Sequence, residues 1–193
     1  MRLGTANKTL ERIGHNSGLP LNSMLCLERN RMLNKLAKQF EALSTERQKE
    51  AQDHENACSW EMSFIAYWSI LEDGLKLFAP LGVREQLHTK IKEWDAFLSG
   101  KKDQKPKDIR NFSVEHKTDK IPPIQTIEII LGEMPKVAEV IEPKKKWRNR
   151  RNEIAHKASK FKNEALFTEY KNDVLMAVDE LNTNITNACT RIK

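Results

Sequence analysis

The apolar residues between positions 60 and 78 constrain the fold of this chain more than any other feature. They follow one another at spacings of three and four, which is the period of one face of an α-helix. They are Trp60, Phe64, Tyr67, Trp68, Leu71, Leu75 and Phe78. Ile65, Ile70 and Leu77 widen this stripe, so we expect a helix covered on most sides and central to the fold.

Apolar residues at helical spacing also precede and follow this segment, and no strand-like alternation accompanies them. The predicted fold is therefore all-α, an antiparallel helical bundle. Turn and capping residues predict where the helices begin and end. The expected boundaries are Asn22 as the start of the first helix, Ser44-Thr45 as the cap of a second and longer one, Pro80 and Gly82 as its end, Ser99-Gly100 as the end of a third, Pro122-Pro123 as the start of a fourth, Pro143 as the start of a basic one, and residues 159–163 as the break before the last.

We expect one domain with two polar additions. A chain of 193 residues is long enough for one substantial core. Residues 1–21 contain glycine and proline without periodicity, which predicts a flexible tail, and residues 22–193 form the helical domain. Residues 100–121 are expected to be a polar loop inserted in that domain. Within the tail, residues 13–20 resemble an amino-terminal signature of small prophage and plasmid proteins.

The composition favours a protein of a reducing compartment that contains no membrane span, metal or cofactor. The three cysteines are far apart and form no CxxC pair, as is typical of ordinary thiols. No apolar run approaches the roughly 20 residues of a membrane span, and the start of the chain lacks the apolar core of a signal peptide. We therefore expect a cytoplasmic location. The histidines outside the basic segment lack neighbours at metal-ligand spacing, and no glycine-rich phosphate loop occurs.

Positive charge is concentrated between Pro143 and Lys162. Nine of these twenty residues are basic and only Glu153 is acidic, a net charge of +8, whereas the whole chain carries +6. The rest of the chain therefore sums to −2, and a local excess of this kind predicts a surface for a polyanion. The side chains that we expect to bind an RNA backbone are Lys144, Lys145, Lys146, Arg148, Arg150, Lys157 and Lys160.

The same segment contains Arg151 and His156, five positions apart. About one arginine–histidine pair at such a spacing is expected by chance in a chain of this composition. Two further pairs occur, Arg47 with His54 and Arg110 with His116. The first pair lies on a mixed-charge helix surface and the second lies in the polar insert, so the local sequence favours the pair at 151 and 156.

Helical spacing distinguishes Arg151 from an ordinary surface arginine. Trp147, Ile154, Ala158 and Phe161 would form a core-facing stripe, and Arg151 falls within it. Arg151 could bind a phosphate, or it could form an ion pair with a carboxylate inside the bundle. His156 could transfer protons near neutral pH, oriented by Asn152 four positions earlier, or it could be a solvated residue near a helix end. The spacing alone leaves both alternatives open.

The sequence Arg151-Asn152-x-x-Ala155-His156 resembles the Arg-x4–6-His motif of the HEPN superfamily (higher eukaryotes and prokaryotes nucleotide-binding). Members are all-α bundles, and many are metal-independent endoribonucleases of toxin–antitoxin, abortive-infection and CRISPR systems. The resemblance implies that Arg151 and His156 are catalytic, that Asn152 assists them, and that two copies form a homodimer. Some toxins of the superfamily carry a modifiable tyrosine two residues after the histidine, where this chain has Ala158.

These observations predict an endoribonuclease that cleaves single-stranded or loop RNA and leaves a 2′,3′-cyclic phosphate. Its expected partners are RNA, a second copy of the chain and an antitoxin protein. A helical module that binds RNA without cleaving it, or that acts as an antitoxin, is the alternative. A DNA-binding regulator is a third interpretation, for which no helix-turn-helix pattern is visible.

Overall fold

The structure is a computed structural model that describes residues 21–106 and 121–191, with side chains from residue 27 onward. These residues form six α-helices and no strand, so the predicted all-α bundle is confirmed. The helices are α1 (Leu21–Asn56), α2 (Trp60–Leu98), α3 (Ile124–Leu131), α4 (Pro135–Ile141), α5 (Lys146–Lys157) and α6 (Glu164–Thr190). Within these two ranges no helix combines the length and the apolar composition needed to span a membrane.

The two longest helices, α1 and α2, form an antiparallel pair. At one end of the pair, Arg84 of α2 donates to Glu28 of α1 at 3.2 Å. Toward the other end, Arg47 of α1 lies 3.9 Å from Asp73 of α2. The chain reverses direction between them in residues 57–59, where Cys58 adopts a positive φ of 54°.

The predicted helix cap at Ser44-Thr45 is wrong, because α1 continues through both residues. Ser44 is buried, and the Thr45 hydroxyl donates to the carbonyl oxygen of Glu41, 2.8 Å away and one turn earlier. A hydroxyl that bonds backward in this way belongs to a helix interior and does not cap a new helix.

Pro80 and Gly82 do not end α2, which is a second correction to the predicted boundaries. Pro80 is exposed, whereas its neighbours Ala79 and Leu81 are buried. An internal proline costs a helix about 3 kcal/mol, and the burial of the apolar side chains around it outweighs that cost.

Gly82 lies where α3 crosses α2 most closely. A Cβ atom at this position would be 2.0 Å from the carbonyl oxygen of Thr126 in α3. Because real carbon atoms cannot approach that closely, only glycine allows the two backbones to pack at this distance. Gly82, which the sequence indicated as a helix end, instead allows close contact between α2 and α3.

The core surrounds α2, as the apolar stripe predicts. Phe64, Trp68, Leu71, Leu75 and Phe78 are each no more than 1% exposed. Helices α1, α3 and α6 pack against α2, and α6 contributes a further set of buried residues. These are Phe167, Val174, Ala177, Val178, Leu181, Ile185 and Ala188.

Three short helices connect α2 to α6. Helix α3 begins after Pro123, as predicted, and ends at Gly132, which has a φ of 90°. Helix α6 begins after Asn163, whose Oδ1 accepts from the backbone N–H of Leu166 at 2.9 Å, so the predicted break at residues 159–163 is confirmed.

The two predicted polar segments fall mostly outside the described residues. Leu21 is already helical, so the predicted tail of residues 1–21 is too long by one residue, and residues 1–20 lie outside the described part. Of the predicted insert at 100–121, residues 100–106 are described and are not helical, and residue 121 precedes α3.

Candidate functional site

The basic segment contains α5, which begins at Lys146 and not at the predicted Pro143. Apolar residues attach α5 to the bundle. Trp147 and Ile154 are buried, as their helical spacing predicts. The Trp147 indole N–H donates to Asp173 of α6 at 2.9 Å. A buried ring with a satisfied N–H fixes one face of α5 against the bundle, so the opposite face is available to solvent.

The carboxyl end of α5 differs from the predicted stripe. Ala158 does not continue the helix but ends it in a left-handed conformation with a φ of 51°, and its side chain is exposed. Phe161 is buried as predicted, but it reaches the core from the loop after α5. The predicted stripe is therefore correct for Trp147 and Ile154 and wrong for Ala158.

Arg151 is in contact with a carboxylate inside the bundle. Its Nη2 lies 3.1 Å from Oε2 of Glu72 in α2, and its Nη1 donates to the Asn152 side-chain oxygen at 3.2 Å. The side chain remains 29% exposed. The ion pair that the sequence left as an alternative is thus formed, and the guanidinium is held in one orientation while part of it stays accessible.

Glu72 accepts three side-chain hydrogen bonds at this position. Lys76 Nζ donates to Oε1 at 2.8 Å, and Trp68 Nε1 and Arg151 Nη2 donate to Oε2 at 3.2 and 3.1 Å. Burial alone would raise the pKa of Glu72, but the Lys76 hydrogen bond, the charges of Arg151 and Lys76, and the Trp68 hydrogen bond together lower it. Sequence reasoning did not identify Glu72. An acid one turn after a tryptophan in the most buried helix is the signal that could have done so.

Replacing Glu72 with glutamine is expected to destabilise the fold by about 1–3 kcal/mol at neutral pH, since Arg151 and Lys76 would lose a charged partner. The pKa of Glu72 in the folded chain lies below its ordinary value of 4.5. Its charge therefore stabilises the fold above that pH, and the effect is lost as the pH falls through the folded-state pKa. Urea denaturation over a pH series measures the difference.

Glu41→Gln is the matched control, because Glu41 is an exposed glutamate of α1. The stability difference between the wild-type chain and Glu72→Gln should shrink in acid, whereas Glu41→Gln should stay close to the wild type throughout. A difference for Glu72→Gln that does not change with pH would contradict this assignment.

Asn152 and His156 lie on the solvent side of α5. Both side chains are exposed, and their four-residue spacing places them on one side of the helix. The Asn152 oxygen accepts from Arg151 at 3.2 Å, which holds the amide next to the guanidinium. Arg151 and His156 are five positions apart, which separates them by about 140° around the helix axis. One α5 therefore presents the arginine and the histidine in different directions.

The cations of the basic segment differ in whether they already have a partner in the protein. Lys145, Lys146, Arg150 and Arg151 each lie within 4.0 Å of a carboxylate oxygen of the bundle or of α5 itself. Arg148 donates to the carbonyl oxygen of Ile141 at 3.2 Å. The remaining cations have no hydrogen-bond or ion-pair partner in the described part of the chain, and all are exposed. They are Lys144, Lys157, Lys160 and Lys162.

Although Arg150 lies in a run of basic residues, its guanidinium packs against the protein. Its guanidinium carbon lies 4.3 Å from the centroid of the Phe161 ring, and its Nη1 donates to Ser159 at 3.1 Å. The side chain is only 12% exposed. A cation stacked on a ring and bonded to the following loop stabilises the turn after α5, so Arg150 is less accessible to RNA than the lysines are.

Of the two other arginine–histidine pairs, only Arg47 and His54 lie in the described residues. Arg47 pairs with Glu50 at 2.6 Å on the surface of α1, and that hydrogen bond raises the pKa of Arg47. Arg110 and His116 lie outside the described residues. Across residues 21–106 and 121–191, no group of three or more His, Cys, Asp or Glu side chains is arranged to hold a metal ion.

Comparisons of this chain with protein-family models, with curated proteins and with solved structures give no match.

Proposed function

We propose that this chain is a metal-independent endoribonuclease that cleaves single-stranded or loop RNA. The observation that carries the proposal is the environment of Arg151. Glu72 and Asn152 hold its guanidinium in one orientation, yet the side chain is 29% exposed on the helix that also presents His156. An oriented, partly exposed arginine can bind a phosphate, and a solvent-facing histidine can transfer the protons of the cleavage reaction.

The chemistry needs few protein groups, because RNA supplies its own nucleophile. The 2′-oxygen attacks the adjacent phosphorus and loses its proton, and the bond to the 5′-oxygen breaks as that oxygen gains one. The products are a 2′,3′-cyclic phosphate and a 5′-hydroxyl. His156 is assigned to proton transfer, and Arg151 offsets the charge that develops on the phosphorane.

We propose that the active form is a homodimer, and the geometry of α5 supports this. Because Arg151 and His156 point about 140° apart, one phosphate cannot easily reach both groups of a single copy. Two α5 helices related by a two-fold axis would bring both arginines and both histidines to one cleft. The exposed Ala155 leaves room for such an approach. One histidine would then accept the 2′-proton while the other protonates the 5′-oxygen.

The biological role that fits this chemistry is a cytoplasmic toxin or phage-defence effector of a mobile element, held inactive by an antitoxin protein. Growth arrest upon expression, relieved by His156→Ala, is the expected behaviour. Harmless expression of a chain that cleaves RNA in vitro would contradict the toxin role and leave the enzymatic proposal standing.

A second candidate is a helical module that binds RNA without cleaving it. The Arg151–Glu72 ion pair favours it, because the charge of Arg151 is already compensated without any phosphate. The free lysines around α5 would serve this function equally well. The two candidates differ in one respect: only the endoribonuclease generates new RNA ends.

Cleavage of an unstructured RNA should persist in excess EDTA and should yield 2′,3′-cyclic phosphate ends. The reason is that the proposed site uses side chains and the RNA's own hydroxyl, without a divalent ion. Mass spectrometry of the products identifies the ends. The His156→Ala chain, purified in parallel, controls for contaminating nucleases. Strict dependence on magnesium, or binding without cleavage, would contradict the proposal, and the latter result would favour the binding module.

A further inference from the structure

Beside α5 lies an open cleft of about 540 Å³ that the proposed catalytic groups do not use. It lies between the start of α3 and helix α4, and the loop into α5 borders it. Its size is within the range of sites that hold small organic groups. The apolar side chains that line it include Pro122, Pro123, Ile124, Pro135, Ala138 and Ile141.

Charges of both signs line this cleft. Glu139 and Glu142 contribute carboxylates, and Lys145 and Arg148 contribute cations from the loop before α5 and from α5 itself, with Lys145 3.8 Å from Glu142. Carboxylates repel a phosphate but accept hydrogen bonds from the N–H groups of a base. Apolar walls with acceptors suit an unpaired nucleobase, and cations beside them suit the backbone attached to it.

Arg148 connects the cleft to the proposed catalytic residues. Arg148, Asn152 and His156 are spaced by four, so they follow one ridge along α5. The side chains change along this ridge from half-buried at Arg148 to exposed at Asn152 and His156. The ridge covers about 12 Å of helix axis. A strand lying on it would have one nucleotide at the cleft when a neighbouring nucleotide is beside His156.

We propose that this cleft is a subsite for one unpaired base of the RNA strand, and the proposal rests on RNA being the substrate. The base enters between the prolines and isoleucines, and its exocyclic N–H groups face Glu139 and Glu142. Arg148 lies beside the attached phosphate, and the adjacent backbone continues along the ridge toward His156. The subsite thereby selects single strands, since a base in a duplex is not free to enter.

The test measures the binding of a labelled, 2′-O-methylated oligonucleotide, which cannot be cleaved, and of versions with an abasic residue at each successive position. Loss of the base at one position should weaken binding by the wild-type chain about 5- to 100-fold, because that base no longer buries its surface against the apolar walls of the cleft. Ala138→Leu, which fills the cleft, should weaken binding of the intact strand similarly and should not weaken the abasic strand further.

Two further variants make the comparison specific. Gln125→Trp puts a larger side chain into the cleft from an exposed lining position of α3, so it tests the subsite even if Ala138→Leu fails to fold. Ala42→Leu makes the same change as Ala138→Leu at an exposed position of α1, far along the chain from the cleft, and should bind like the wild type.

The outcomes separate the two proposals. RNA binding that is unaffected by both cleft-filling variants, or equal effects of abasic residues at all positions, would overturn the subsite while leaving the proposed function intact. A single sensitive position that is lost in both cleft-filling variants and kept in Ala42→Leu supports the subsite. If the cleavable RNA is nevertheless never cut, the endoribonuclease fails and the binding module remains. A wild-type chain that binds no RNA would overturn both.

Discussion

The His156→Ala chain is expected to cleave RNA about 100- to 10,000-fold more slowly than the wild type, the usual contribution of one general acid or base. His156 is exposed and has no hydrogen-bond partner in the described residues, so its removal should leave the fold intact. Binding of uncleavable RNA should therefore change little. The measurement is the rate of product formation, with thermal unfolding to verify that both chains fold.

Arg151 needs a different substitution from His156. Truncating it to alanine would leave the half-buried Glu72 without one of its partners, and a loss of activity could then reflect a loss of stability. Arg151→Lys keeps the charge near Glu72 but removes the planar, two-pronged donor. We expect at least about a hundredfold lower rate of cleavage with this variant, the size of effect of removing one transition-state donor.

Matched controls come from the other arginine–histidine pairs. His54→Ala, His116→Ala, Arg47→Ala and Arg110→Ala should cleave RNA at the wild-type rate. Cleavage that survives His156→Ala but disappears with one of these changes would move the site away from α5. Loss of binding together with cleavage in His156→Ala would instead assign the histidine to RNA contact and leave proton transfer to another group.

A large loss of stability is expected from Gly82→Ala. Alanine normally stabilises a helix by about 0.5–1 kcal/mol relative to glycine. Here its Cβ would lie 2.0 Å from the carbonyl oxygen and 2.8 Å from the carbonyl carbon of Thr126. Both atoms belong to the backbone of α3, so the helices must separate. We expect the free energy of unfolding to fall by about 3 kcal/mol, the upper end of the usual overpacking cost.

Gly74→Ala provides a graded comparison within the same helix. Its Cβ would meet the Phe40 ring at 2.5 Å, and a side chain can move where a backbone cannot. Gly74→Ala should therefore lower the free energy of unfolding, measured by urea denaturation, by less than Gly82→Ala does. Equal stability of the wild type and Gly82→Ala would show that α2 and α3 are not packed as closely as the structure has them.

The sequence predicted the helices correctly where the apolar periodicity is continuous. It predicted helix boundaries wrongly where the local propensity of a residue is overridden by packing against other helices. The stripe from Trp60 to Phe78 identified the central helix because burial follows directly from that spacing. Ser44-Thr45 and Pro80 were interpreted as helix ends on local propensity alone. Packing against neighbouring helices keeps both segments helical, and such contacts between distant segments cannot be derived from short-range pattern.

The buried face of α5 was predictable from the sequence, but the partners of its charged side chains were not. The sequence placed Trp147 and Ile154 on the buried face of α5 and Arg151 beside them, because these positions share one helical period. Glu72 could not be assigned to Arg151, since 79 residues separate them in the chain. The pairing of Lys146 likewise depends on carboxylates from another helix, Glu169 and Asp173 of α6, whereas Lys145 and Arg150 pair with acids three residues away.

The pairing of these cations with carboxylates determines how RNA binding should depend on salt. Each phosphate that a cation neutralises on a single strand releases condensed counterions and contributes roughly 0.7 to the slope of log K against log salt concentration. If all nine cations of the basic segment bound phosphates, the slope per chain would approach about −6. Four of them already neutralise carboxylates of the protein. The other five set a slope nearer −3.5, so just under half of the cations of the basic segment are compensated within the protein and add little to the attraction of RNA.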